Sequence, residues 1–205
     1  MLKMNVLGSA VVLAGAMLAG CSNTPTYPPA PAQTSSYDWN YLVGPGDSVN
    51  VFVWRNPEVS GAFPVRPDGK MTMNLVEDLP ASGKTPSQLA RDIEKALGKY
   101  IQEPIVTVIV GGGVGPFDQQ IRVVGEASKP QALNYREKMS LIDLMIAVGG
   151  LTDFAAGNKA YILRTQDGKQ TQLGVRLEDL LRGGDIKANV AIRPGDVLVI
   201  PESLF

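Results

Sequence analysis

The side chains able to do chemistry in this 205-residue sequence are few. There is no histidine, and Cys21 is the single cysteine. That excludes a Cys/His zinc site, a histidine-based triad and an intrachain disulfide. Carboxylates remain. Asp47, Glu58, Asp68 and Asp196 are the candidates for hydrolysis of a glycosidic bond, which needs two carboxyl groups facing each other across about 5–10 Å. Each of the four sits in a turn or loop motif that accounts for it structurally, and no spacing makes any two of them face. The expectation is a protein with no catalytic, cofactor-binding or metal-binding residue.

Two of these carboxylates close the same kind of turn. In Gly44-Pro45-Gly46-Asp47 and Arg193-Pro194-Gly195-Asp196 the proline presets φ, the glycine can take a positive φ, and the aspartate can accept hydrogen bonds from its own backbone. Each turn launches a strand. After the first, Val49, Val51 and Val53 alternate with Ser48, Asn50 and Phe52; after the second comes Val197-Leu198-Val199-Ile200. The two turns open and close the folded part of the chain.

Composition bounds the rest. A hydrophobic content of 44% supports a packed core, and 22 glycines with 15 prolines point to many turns and a β-rich architecture. The formal charge of −1 argues against a nucleic-acid binder. Residues 1–20 carry Lys3 and an apolar run from about Val6 to Leu18, the layout of a secretory signal. The run is too short for a comfortable membrane span. From Ser22 to Ser36 the chain is rich in Pro, Thr, Ser and Ala, with Tyr27 its only aromatic residue, so 21–36 reads as a disordered tether. Tyr37, Trp39 and Tyr41 mark where packing begins.

Two folded units follow, at 37–112 and 117–205. In the first, Phe63-Pro64-Val65 and Lys70-Met71-Thr72-Met73 flank a Pro67-Asp68-Gly69 turn as a short hairpin. Thr85, Pro86 and Gln88 form a capping-box helix start. Leu89, Ile93, Leu97 and Tyr100 then fall on one face, and Ile105–Val110 is a β-branched strand. Arg91, Lys95 and Lys99 lie opposite that face, with Asp92 and Glu94 as counter-charges, the pattern of a solvated surface. Residues 111–116 hold four glycines and a proline and read as a flexible joint. The second unit begins with a strand at 120–126 and a return at 132–135. Ser140 then caps a short helix with Leu141, Leu144, Met145 and Val148 inward, stopped by Gly149-Gly150. A hairpin turns at Gln166-Asp167-Gly168-Lys169, a helical turn spans 177–181, and a last strand ends at Pro201. The fold class is α+β: two small β-rich domains, each with a helix on a sheet.

Several of these segments resemble known families. Leu18-Ala19-Gly20-Cys21 is similar to the bacterial lipoprotein cleavage box, which implies removal of 1–20 and lipidation of Cys21. Ser22 after it implies sorting to the outer membrane, and several acyl chains on one residue would anchor stably. Val43-Gly44-Pro45-Gly46-Asp47, Val65-Arg66-Pro67-Asp68-Gly69-Lys70 and Pro104-Ile105-Val106-Thr107-Val108 resemble the polysaccharide export domain. Ile121–Pro130 followed by Ala147-Val148-Gly149-Gly150-Leu151-Thr152 looks like a soluble-ligand-binding (SLBB) β-grasp domain. In that order, behind a lipoprotein signal, the two resemble the outer-membrane polysaccharide export lipoproteins.

The resemblance implies a periplasmic, homo-oligomeric ring through which polysaccharide passes, with an inner-membrane co-polymerase and chain-length regulator as partner. Family members that build their own outer-membrane pore carry a further C-terminal helix. The expectation here is the short form, served by a separate outer-membrane β-barrel. Loop polars Arg55, Asn56, Asn134, Arg136 and Asn158 are the candidate lumen lining, with ordinary loop solvation as the competing account. A carbohydrate-binding or adaptor lipoprotein that forms no conduit is the alternative.

Overall fold

The computed structural model describes residues 27–31, 39–113, 115–166 and 168–203. The signal segment, Cys21 and Tyr37 lie outside the described residues. The first unit runs β1 (Ser48–Val53), β2 (Gly61–Pro64), β3 (Lys70–Met73), β4 (Val76–Pro80), α1 (Pro86–Leu97) and β5 (Val106–Gly111). Alternation along β1 buries Val49, Val51 and Val53 and leaves Ser48, Asn50 and Phe52 outward, as a strand with one covered face requires. β1 is the centre of a three-stranded antiparallel sheet. Val49 lies opposite Phe63 of β2, and Asn50 opposite Ile109 of β5.

The hairpin expected across Pro67-Asp68-Gly69 is only half right. The turn forms, with Arg66 N–H donating to the Lys70 carbonyl at 2.8 Å and Gly69 N–H to that of Arg66 at 2.9 Å. Its arms then part: β2 pairs with β1, and β3 pairs with β4 in a separate two-stranded ribbon. The reason is that Val65 N–H is already committed to the Asp47 carbonyl at 2.8 Å, extending the β1–β2 ladder beyond Pro64. β4 escapes the sequence reading because its turn uses Leu75 at φ 69 rather than a glycine or Asn-Gly pair.

Helix α1 starts as expected. The Thr85 hydroxyl accepts from Gln88 N–H at 3.2 Å and the Gln88 side chain accepts from Thr85 N–H at 2.9 Å, a complete capping box. Leu89, Ile93 and Leu97 are buried with the β1 valines, Met71 and Val106. Tyr100, expected on the same face, is 63% exposed, because the helix ends at Leu97 and the stripe ends with it. Arg91 and Glu94 are paired at 2.7 Å and also stitch the helix to β5. Arg91 donates to the Val106 carbonyl at 3.3 Å, and Glu94 accepts from Val106 N–H at 2.9 Å.

The second unit runs β6 (Ile121–Gly125), β7 (Ala132–Leu133), α2 (Leu141–Ala147), β8 (Tyr161–Gln166), β9 (Lys169–Gly174), α3 (Leu177–Leu181) and β10 (Val197–Ile200). Its five-stranded sheet has the order β7-β6-β10-β8-β9, with β10 parallel to β6 and antiparallel to β8. A parallel neighbour needs a long crossover, and the intervening helices and hairpin supply it. At Gly125 (φ 89) an added Cβ would lie 2.0 Å from the Ile200 carbonyl oxygen, so only glycine lets these strands close up there. Ser140 caps α2 with Asp143 as its reciprocal partner. Leu141, Leu144, Met145 and Val148 join Ile121, Ile162 and Leu198 in one core, separate from that of the first unit. Two cores, each of sheet and helix, make the α+β pair that the sequence implies. No helix of the described residues is long and apolar enough to cross a membrane.

Truncating Leu97 to alanine should cost about 2–5 kcal/mol in urea unfolding. The same change at Tyr100 should stay within about 0.5 kcal/mol. Equal costs would put Tyr100 back in the core.

Candidate functional site

The two Pro-Gly-Asp turns are built alike. Asp47 N–H donates to the Gly44 carbonyl and Asp196 N–H to the Arg193 carbonyl, each at 3.2 Å. Gly46 and Gly195 hold φ values of 91 and 81, the positive φ that a type II turn demands after proline. In each turn the carboxylate also folds back three residues. Asp47 Oδ2 accepts from Gly44 N–H at 2.8 Å and Asp196 Oδ2 from Arg193 N–H at 2.8 Å. Both aspartates are buried, so neither is available as an acid–base pair facing a substrate.

Burial obliges each carboxylate to find further donors. Asp47 takes the Tyr41 hydroxyl on Oδ2 and Gly115 N–H on Oδ1 at 3.0 Å. Asp196 takes the Arg164 guanidinium in a bidentate pair, Nε to Oδ1 at 2.9 Å and Nη2 to Oδ2 at 2.7 Å. Burial, the Asp47 hydrogen bond and the Asp47 charge together push the Tyr41 phenol well above its ordinary value. On the surface, Asp68 behaves differently. Its hydrogen bond with Arg66 lowers its carboxyl to about 2, and Arg66 also pairs with Asp78 at 2.7 Å.

Both turns grip the segment that connects the domains. An added Cβ at Gly44 would lie 2.1 Å from the Gly115 carbonyl carbon, and one at Gly195 2.6 Å from the Asp118 carbonyl oxygen. Gly195 N–H donates to the Gln119 carbonyl at 3.2 Å. Trp39 completes the junction. Its Nε1 donates to Gln119 Oε1 at 3.3 Å, and its ring stacks edge-on against Tyr41 and Tyr135 from the two domains. The flexible joint expected at 111–116 is therefore held at Gly115, where the buried Asp47 carboxylate needs its amide.

The structure disperses the expected lining residues. Asn134 donates to the Gly113 carbonyl at 2.9 Å, so it ties the second domain to the connecting segment. Arg136 lines a groove of about 660 Å³ beside it, with Glu137, Asp143 and Ile146. Asn158 exchanges hydrogen bonds with Asp179 and so secures α3. At the far end of β1, Asn56 donates to the Trp54 carbonyl at 2.8 Å and the Arg55 guanidinium sits 6.0 Å from the Trp54 ring centroid. Trp54 and Phe52 meet edge-on at 6.4 Å on the open face of the first sheet, about half exposed (54% and 49%). The outward side of that sheet is thus aromatic as well as polar: Phe52 falls there by the expected alternation, and Trp54, just past the strand, joins it.

Part of the expected tether is also ordered against the protein. Gly174 N–H donates to the Pro28 carbonyl at 2.8 Å, and Ala30 N–H donates to the Gly174 carbonyl at 3.1 Å. Residues 27–31 thereby lie along the edge of β9, with the Tyr27 ring 4.8 Å from that of Tyr161. No run of β-propensity marks this strap in the sequence. Its only signal is Tyr27, a lone aromatic in a polar stretch.

With this architecture in hand, two domain families match successive parts of the chain. Residues 35–111 match the family described as polysaccharide biosynthesis/export protein, and residues 120–181 match the SLBB domain. The chain thus carries a match to the export domain followed by a match to the SLBB domain. Over 187 aligned residues it is 24% identical to the EPS I polysaccharide export outer membrane protein EpsA of Ralstonia nicotianae, covering 79% of this chain and 47% of that one. Over 180 residues it is 27% identical to the exopolysaccharide production protein ExoF of Rhizobium meliloti, covering 80% and 41%. The chain spans less than half the length of these relatives.

Replacing Asp196 by alanine leaves Arg164 buried and unpaired, and should cost about 3–5 kcal/mol in denaturant unfolding. Exchanging both partners, Arg164→Met with Asp196→Leu, should recover most of that loss; a double variant as damaged as the single one would deny the pair its role. Tyr41 has a raised folded-state value. Its contribution is intact below the ordinary tyrosine value of about 10 and is lost as pH climbs through the folded one. Tyr41→Phe should flatten the alkaline limb of the stability–pH curve.

Proposed function

We propose that this chain is a component of an exopolysaccharide or capsule export channel, carrying finished polymer across the cell envelope without catalysing a reaction. The observation that carries this reading is the ordered pair of export and SLBB domain matches, together with similarity over most of the chain to relatives named for polysaccharide export and exopolysaccharide production. The physical task suits the molecule. A long hydrated polymer moves best past many weak contacts, and the buried carboxylates are spent on holding the domains rather than on bond cleavage.

In this reading 1–20 is the signal, Cys21 is acylated, and the chain is held at the periplasmic face of the outer membrane. The domains divide at 37–112 and 117–205. Copies assemble as a homo-oligomeric ring, and an inner-membrane co-polymerase and chain-length regulator delivers the polysaccharide. Stable anchoring follows from the several acyl chains of a lipoprotein cysteine. The driving energy comes from polymer synthesis.

Deletion of the gene should abolish secreted polymer while polymer accumulates in the periplasm, and a Cys21→Ser copy should restore secretion poorly. Normal secretion by the deletion strain would refute the proposal. Normal secretion with Cys21→Ser alone would refute the anchor.

A further inference from the structure

The aromatic pair on the open face of the first sheet has no part in the core. The inward valines of β1 fill that core, while Phe52 and Trp54 leave the opposite side. Trp54 prolongs the strand, its N–H donating to the Ile105 carbonyl at 2.9 Å. Burial alternates along β5, so Thr107 lies outward opposite Phe52, and Ile109 outward opposite Asn50. Ile105 and Ile109 are 61% and 58% exposed. No outward position of the three strands holds a charged residue, so this is not an ordinary solvated face. Arg55 stands at its end, 6.0 Å from the Trp54 ring centroid, and forms no ion pair with the described residues.

Size and charge identify the occupant. Two strand spacings of about 4.8 Å and six residue steps of about 3.4 Å make a strip about 10 Å wide and 20 Å long. That is roughly a quarter of the ~800 Å² per partner that a stable protein contact buries. A second copy resting here would be held weakly, and it would strip water from Asn50 and Thr107. A slender ligand fits better. The axial C–H bonds of a pyranose form an apolar face that lies on an aromatic ring, and its hydroxyls are left at the rim. Asn50 and Thr107 flank Phe52 with donors and acceptors for those hydroxyls. An uncharged strip suits a ligand whose polar groups are mostly hydroxyls, and Arg55 adds donors for any carboxylate it carries. The two ring planes lie 66° apart with centroids 6.4 Å apart. Consecutive sugars therefore stack on both rings only where the linkage turns the chain.

We propose that Phe52 and Trp54 form a pyranose-stacking subsite for the exported polymer, with Asn50, Thr107 and Arg55 as its hydrogen-bonding rim. The inference rests on the export reading above and names where the polymer touches this chain.

The test uses the full, acylated protein in detergent micelles, isotope-labelled at tryptophan and asparagine. The probe is polysaccharide secreted by the parent strain, cleaved to oligosaccharides by mild acid. The chain has two tryptophans, so the Trp54 indole N–H is the reporter and that of Trp39 the control. Saturable movement of the Trp54 signal, with Trp39 unmoved, is the expected result. Trp54→Leu keeps an apolar side chain and removes the ring. Read through the Asn50 side-chain amide, it should weaken binding about two- to tenfold. Phe52→Leu with Trp54→Leu should abolish binding, and the urea midpoints should stay near that of the parent because both sites are exposed. An unmoved Trp54 signal, or equal movement of both indoles, overturns the inference. So does a Trp54 signal that moves with protein concentration without sugar, which assigns the strip to a contact between copies. In each of these cases a deletion strain that fails to secrete leaves the export reading standing. A deletion strain that secretes normally overturns both.

Discussion

A buried carboxylate inside a proline-glycine turn is the constraint on which this molecule depends. Each Pro-Gly-Asp turn points its aspartate inward, where an ionised group without donors would be costly. Asp47 and Asp196 meet that demand with different partners. Asp196 uses Arg164 and so ties the last turn to β8 within the second domain. Asp47 uses Gly115 and Tyr41, and so reaches out of its own sheet to the connection between domains. One need, met locally in one copy and at long range in the other, converts two small domains into a continuous body.

The junction is reinforced by contacts that would be weak alone. The edge-on rings of Trp39, Tyr41 and Tyr135 add about 0.5–1.5 kcal/mol per pair beyond their buried area. The Asn134 amide adds a hydrogen bond to Gly113. Close approach matters more. Gly44 lies so near Gly115, and Gly195 so near Asp118, that no larger side chain fits at either turn. Glycine is required at these turns for space as much as for conformation.

Much of this was legible in the sequence because the signals were local. Capping at Thr85 and Ser140, the period-two valines of β1 and the glycine stop after α2 need only neighbouring residues to be read. The α+β class and the two-unit organisation followed from them. What stayed hidden depends on partners far along the chain. The parting of β2 from β3 is decided by Val65 bonding to Asp47, and the Leu75 turn carries no sequence mark. Asp47 was readable as a turn residue but not as the partner of Gly115, 68 residues away. The strap along β9 rests on backbone hydrogen bonds that any side chains could make, which left Tyr27 as its only trace. The expected lining residues were identified as polar loop positions. Their actual partners (Trp54, Gly113 and Asp179) come from tertiary structure.

The central claim is that the Asp47 carboxylate holds the interdomain segment in place, and amide hydrogen exchange at Gly115 measures it most directly. The account predicts that Gly115 N–H exchanges as slowly as the core amides of β1, and that Asp47→Ala speeds it by orders of magnitude while Leu198 in β10 keeps its protection. Exchange of Gly115 at the rate of an open loop in the unaltered protein would contradict it.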